Sequence, residues 1–286
     1  MLLHKAIGLY RMYMITMDRS EETVKGYTIE LSLLNRYLSE KYNSPVYVED
    51  ITLHELEEYL LMLKLKGHAP SSRSRVVYII RAFYSFCNKK DYINNNISLK
   101  LEAIPVPEKE RIYLSEEEIN KIVSTVQNPL IKLLLNTLYH TGMRISECLN
   151  LKVQDVDLVE GIITVRNTKG KKDRQIPIHE ILLDELRNYI ALWRKGKQNP
   201  YFFSLNNTFK ISPDYVNRIL HQTTSSLNMS KHVTCHILRH SFASSFVSKN
   251  VNIVSIQKLL GHRDLSTTSI YTHTNLNELK QVVNTI

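Results

Sequence analysis

The chain has 286 residues, 43% of them hydrophobic and 23% charged, enough to bury roughly 75% of its unfolded surface without disulfides or a structural metal. Lysine and arginine number 37 against 28 acidic residues, a formal charge of +9 that suits a polyanionic partner such as nucleic acid. Three scattered cysteines (Cys87, Cys148, Cys235) without CxxC spacing, and no uncharged apolar run near the ~20 residues of a membrane helix, argue against a disulfide scaffold, a zinc ribbon and a membrane span, and for a soluble protein of the reducing cytosol.

Residues 1–18 are apolar, but Lys5 and Arg11 interrupt them and no small-residue cleavage site follows, so they do not read as a signal peptide. Ser20, followed by Glu21 and Glu22, predicts a helix N-cap with acids in the first turn, and Leu31, Leu34, Tyr37 and Leu38 continue at helical spacing to about residue 42. Thr52-Leu-His-Glu55 is a capping box opening a helix that Gly67 ends. Ser71 or Ser72 opens another, running to about Cys87 with Val76, Val77, Ile80, Phe83 and Tyr84 on one side. These elements predict a small helical bundle. The stretch 99–110 holds Pro105 and Pro107 among alternating charges; residues before proline avoid the helical region, so it reads as an extended linker between domains 1–98 and 111–286. Charge differs across it: 14 Lys/Arg against 12 Asp/Glu in residues 1–107, and 23 against 16 in residues 108–286.

Beyond the linker, Ser115-Glu-Glu-Glu118 is a second capping box, and Pro129 suits the first turn of a helix that Gly142 closes. The pattern then changes. Gly161-Ile-Ile-Thr-Val-Arg166 and Arg174-Gln-Ile-Pro-Ile-His179 read as strands joined by the basic turn 167–173. Helices resume near Ile181, Pro213, Cys235 and Val251. The predicted class is mainly α with a small β-sheet.

Three segments carry chemistry that a packing account explains poorly. In Thr141-Gly-Met-Arg-Ile-Ser-Glu147, Arg144 stands where one helix closes and another begins, with Glu147 in reach of its guanidinium; this is either a surface ion pair or a cation aimed at a ligand. In Cys235-His-Ile-Leu-Arg-His240, His236, Arg239 and His240 share one side of a helix that Thr234 could cap. That side is either a solvated polar face or fixed charge and imidazole set against a phosphate. In the third segment, Gly261 ends an apolar helix, His262 follows, and Tyr271 lies nine residues further on.

Taken jointly, Thr-Gly-Met-Arg144-Ile-Ser-Glu, His236-Ile-Leu-Arg239-His and Leu-Gly-His262-Arg with Tyr271 resemble the tyrosine recombinase, or phage integrase-type, family. Residues 20–27 resemble the start of that family's N-terminal core-binding domain, and residues 111–118 the start of its catalytic domain, so the resemblance covers essentially the whole chain. It implies a helical core-binding domain, a catalytic domain and a C-terminal tail helix over about residues 275–286. By matched position it implies that Arg144, Lys169, His236, Arg239 and His262 surround a scissile phosphate and that Tyr271 is the nucleophile; Lys171 and Lys172 share the turn with Lys169. Glu147 matches the acidic residue supporting the first arginine.

The implied reaction forms a 3′-phosphotyrosyl bond that conserves the ester's energy, so religation needs no ATP, metal or other cofactor. The sequence carries neither a Walker-type glycine loop nor a two-metal carboxylate cluster. The implied partners are double-stranded DNA with inverted-repeat core sites and three further copies of the chain, in a homotetramer coupled through the tail, with no membrane and a cytoplasmic location. The implied task is that of simple recombinases that resolve replicon dimers or transposon cointegrates. Integration, inversion, or DNA binding without catalysis are the alternatives.

Overall fold

The computed structural model describes residues 1–107, 112–166, 173–194, 199–205 and 210–261. The chain divides into two compact units, Met1–Glu110 and Arg111–Ile286.

The first unit is a bundle of four helices. Helix α1 (Leu3–Thr16) buries Leu3, Ala6, Ile7, Tyr10 and Met14, a three-and-four spacing that defines one apolar stripe. Lys5 and Arg11, which interrupt the apolar run in sequence, lie on its exposed side. Helix α2 (Glu21–Tyr42) begins where expected, with the Ser20 hydroxyl accepting the Thr23 N–H at 3.1 Å. Helix α3 (Leu53–Leu65) has the reciprocal Thr52–Glu55 capping box. Helix α4 (Pro70–Lys89) starts before the two serines that sequence suggests: Pro70 takes the first turn, where its missing N–H is no loss, and Ala69 precedes it without a side-chain cap. Leu31, Leu34 and Leu38 of α2 and Val76, Val77, Ile80 and Phe83 of α4 belong to one core. The first residues of the stretch expected as a linker belong to the first unit. Ile97–Lys100 forms a 3-10 turn, Leu101 is buried in the same core, and its carbonyl accepts a hydrogen bond from Arg81.

The second unit builds its core around helix α6. Helix α5 (Glu116–Thr125) opens on the Ser115–Glu118 capping box. Helix α6 (Pro129–Thr141) is capped by Asn128, whose side-chain oxygen accepts the N–H groups of Leu130 and Ile131. Its Ile131, Leu134, Leu135 and Leu138 are completely buried. The short helix α7 (Ile145–Leu149) follows, then an antiparallel sheet in the order β1 (Val156–Asp157), β2 (Ile162–Val165), β3 (Arg174–Pro177). Sequence reading predicts the β2–β3 pair; the two-residue β1 is too short to show a period. Ile163 faces Ile176 and Val165 faces Arg174 across the ladder, so one sheet face, with Ile163, Val165 and Ile176 buried, closes the core. Helices α8 (Glu180–Trp193), α9 (Pro213–Ser226), α10 (Cys235–Ser248) and α11 (Ile253–Leu260) complete the described part. The fold is mainly helical with a small sheet.

The joint between α6 and α7 sets the position of everything that follows. Gly142 ends α6 in the left-handed region (φ 61°), donating its N–H to the Leu138 carbonyl at 3.0 Å. A Cβ at this position would overlap Cδ1 of Phe242 on α10 and lie 3.0 Å from Cδ2 of Leu260 on α11. The turn therefore needs glycine twice over, for its backbone angle and for the close approach of two other helices. Gly142→Ala combines a backbone cost of ~1–2 kcal/mol with an overpacking cost of ~1–3 kcal/mol. We expect a loss of that combined order, read as a lower urea midpoint at an unchanged m-value.

Candidate active site

Arg144 is the residue before α7 and has extended backbone angles (φ −69°, ψ 147°). Its neighbour three positions on, Glu147, does two things at once. One carboxylate oxygen accepts the Arg144 backbone N–H at 2.9 Å and the other accepts Arg144 Nη1 at 2.8 Å. The helix cap and the ion pair thus share a single carboxylate. The carboxylate lies inward, 14% exposed, while the Arg144 side chain is 37% exposed.

A second guanidinium reaches the same carboxylate from the sheet. Arg174 donates Nη1 to Glu147 Oε1 at 3.1 Å and Nη2 to Oε2 at 2.7 Å, a two-pronged fork that lysine could not form. Its Nε donates to the Leu259 carbonyl in the last turn of α11 at 2.9 Å. Sequence reading places Arg174 in a strand and gives it no role. The available signal is alternation: with Gln175 and Pro177 exposed and Ile176 buried, position 174 points inward, and an inward arginine requires an acid.

The third guanidinium belongs to Arg239. Sequence places it with His236 and His240 on one polar helix side, but the three differ in environment. Arg239 is 2% exposed, His240 half-buried and His236 exposed, with the two imidazole rings edge to face at 4.4 Å. Arg239 Nη1 donates to the Gly142 carbonyl at 2.6 Å, and Nη2 to the Leu260 carbonyl at 2.7 Å. Both acceptors sit at helix C-termini, where the helix dipole favours a cation. Arg239 Nη1 also lies 3.9 Å from Glu147 Oε2. The N-terminus of α10 is capped differently from expectation: Asn217 of α9, rather than Thr234, accepts the Cys235 N–H at 3.0 Å. A partner eighteen residues upstream leaves no local trace.

Burial by itself would raise the Glu147 carboxyl. The hydrogen bonds and charge of Arg174, joined by the Arg144 N–H and guanidinium, outweigh it and hold the group at about 2. At neutral pH this cluster therefore sets three guanidinium charges against one carboxylate. The thiols next to it cannot serve as nucleophiles. Cys148 and Cys235 are buried, and burial pushes Cys235 to about 12 and Cys148 upward as well, so both stay protonated. The structure thus brings Arg144 and Arg239 together at Glu147 and adds Arg174. Lys169, His262, Tyr271 and the expected tail helix lie outside the described residues.

Comparison with known proteins gives a consistent picture. Residues 113–278 match the phage integrase family, and residues 7–90 match the phage integrase N-terminal SAM-like domain. Over 276 residues the chain is 36% identical to tyrosine recombinase XerA of Pyrococcus furiosus, covering 95% of this chain and 90% of that protein. Among solved structures, a XerA recombinase shares 27% identity with a TM-score of 0.55, covering 98% of each chain. The Tn1549 transposon integrase, in complex with transposon right end DNA, has the same fold with a TM-score of 0.80 at 18% identity, covering 100% of this chain and 99% of that one.

The depressed carboxyl has a signed consequence for stability. Glu147 has a folded pKa below its ordinary 4.5, so its contribution is complete above that value and disappears as pH falls through about 2. Glu147→Gln removes this contribution and leaves the arginines without their counter-charge. In urea melts run as a pH series, the stability difference between wild type and Glu147→Gln should be largest near neutrality and shrink between about pH 4.5 and 2. A difference that stays constant across that range would contradict the pairing.

Proposed function

The chain belongs to the phage integrase family of tyrosine recombinases, and from that membership we propose that it cuts and rejoins DNA at specific sites through Tyr271. The phenolic oxygen attacks the scissile phosphorus, the bond to the 5′ oxygen breaks, and the strand remains attached as a 3′-phosphotyrosine. A 5′ hydroxyl from a second duplex then reverses the step. The phosphotyrosyl ester retains the energy of the bond it replaced, so the exchange proceeds without ATP and without a metal.

The observation that carries this reading is the convergence of Arg144 and Arg239 on Glu147 from separate elements of the fold. Phosphoryl transfer is catalysed mainly by positioning and by stabilising charge on the non-bridging oxygens. Guanidiniums held by a buried carboxylate and by backbone carbonyls are preorganised for that task, with no reorganisation needed as charge develops. In this reading Arg144 and Arg239 hold the non-bridging oxygens and His262 hydrogen-bonds the phosphate. His236 assists removal of the Tyr271 proton, which a side chain of ordinary pKa near ~10 requires at neutral pH. Lys169 protonates the departing 5′ oxygen. The exposure of Arg144 and His236 supports their access to a substrate.

The partner is duplex DNA. The charge surplus of residues 108–286 and the DNA complex of the structurally similar transposon integrase support it. Four copies act together on paired inverted-repeat sites, coupled through the apolar positions Leu276, Leu279 and Val283 of the C-terminal segment. Likeness over nearly the whole chain to a tyrosine recombinase called XerA supports site-specific recombination; the task we propose is resolution of replicon dimers or cointegrates, ahead of integration or inversion.

Two measurements test the chemistry. On a nicked suicide duplex the wild type should form a denaturant-resistant covalent adduct and Tyr271→Phe should form none. Recombinant products from paired sites would distinguish exchange from simple nicking and closing. A wild type that binds DNA yet never becomes attached to it would identify a non-catalytic relative and refute the proposal. Arg144→Lys should lose cleavage nearly as completely as Arg144→Ala, by ~10²–10³-fold, because a point charge cannot replace a fork. Retention of most activity by the lysine variant would rule out the two-pronged contact.

A further inference from the structure

Arg174 makes one more set of contacts than a structural ion pair needs. Its fork fixes both oxygens of Glu147, and Glu147 in turn fixes the backbone and guanidinium of Arg144. Its Nε fixes the Leu259 carbonyl, while Arg239 fixes the adjacent carbonyl of Leu260. The turn that ends α11 is built directly over this side chain. Gly261 is left-handed (φ 66°), and a Cβ there would lie 3.0 Å from both Cδ and Nη1 of Arg174. The next residue in the chain is His262, with Tyr271 nine positions further on.

We propose that Arg174 is a positioning residue for strand cleavage, one side chain that sets Arg144, through Glu147, in register with the C-terminal end of α11 from which the segment carrying His262 and Tyr271 departs. The inference rests on the strand-exchange reading above and deepens it. Arg174 itself, 10% exposed, acts through Glu147 and the Leu259 carbonyl rather than on DNA. Its place in the fold suits the role. Position 174 opens β3 opposite Val165, and β3 is held by the buried Ile163–Ile176 pair, so the guanidinium projects from a rigid sheet rather than a loop. A misplacement of about 1 Å in such a constellation costs on the order of 10²-fold in rate, even when binding is unaffected.

The test is single-turnover cleavage of a suicide duplex at saturating protein by wild type, Arg174→Lys and Arg174→Ala, with single-site DNA affinity and thermal unfolding measured on the same samples. Arg174→Lys keeps the charge and loses the fork. We expect it to remain folded, to bind DNA within about two-fold of wild type, and to cleave on the order of 10²-fold more slowly. Arg174→Ala should cleave no faster than the lysine variant. In Arg174→Ala the acid limb of the pH–rate profile should move to higher pH, because Glu147 loses both the hydrogen bonds and the charge of Arg174; Arg174→Lys, which keeps the charge, should move it less. Arg174→Lys combined with Glu147→Gln should be little slower than Glu147→Gln alone. A merely structural role predicts instead that cleavage, affinity and melting temperature fall together, with the acid limb unmoved; that result overturns the inference. Wild-type cleavage rates in Arg174→Lys also overturn it, while adduct formation by the same protein leaves the strand-exchange reading standing. Absence of adduct in wild type would refute both.

Discussion

A carboxylate cannot be taken out of water alone. Removing one charge from solvent costs several kcal/mol even after relaxation, and a buried pair survives only when its geometry and remaining hydrogen bonds are good. Glu147 meets that condition by accepting from the Arg144 backbone and from two guanidiniums, with a third 3.9 Å away. The dependence runs in both directions. Without the arginines burial would push the Glu147 carboxyl upward, and without Glu147 three like charges would stand close together with no counter-charge.

That constraint explains why such different elements meet here. The α6–α7 turn supplies Arg144 and Glu147, a strand supplies Arg174, the middle of α10 supplies Arg239, and the end of α11 supplies two carbonyls. Each arrives by ordinary packing: α6 is buried through its leucines, the sheet presents its inward face, and Phe242 of α10 packs with Leu260 of α11 in a small apolar cluster. Gly142 is the point at which these demands conflict unless no side chain is present. Its carbonyl serves Arg239, its N–H closes α6, and its missing Cβ admits Phe242.

What could be read from sequence was what is local. The caps at Ser20, Thr52 and Ser115 and the glycine stop at Gly142 act within four residues, and each appears as expected. Helix α1 was obscured because Lys5 and Arg11 look like interruptions of an apolar run when they form its wet face. The cap of α10 depends on Asn217, and the membership of residues near 101 in the first core depends on burial of Leu101, neither visible in a short window. The motif arginines were found through their surroundings in sequence. That Arg239 is buried, and that Arg174 belongs with it, follows only from partners reached across 27 to 97 residues.

The three arginines differ in how much of their charge remains directed outward. Exposures of 37% for Arg144, 10% for Arg174 and 2% for Arg239 form a gradient from the surface to the interior. The Arg239 guanidinium is held at both terminal nitrogens by backbone carbonyls, those of Gly142 and Leu260. Those carbonyls fix the orientation of the guanidinium within the core. One carboxylate and the C-terminal ends of two helices thus hold a dense cluster of like charge against an apolar core.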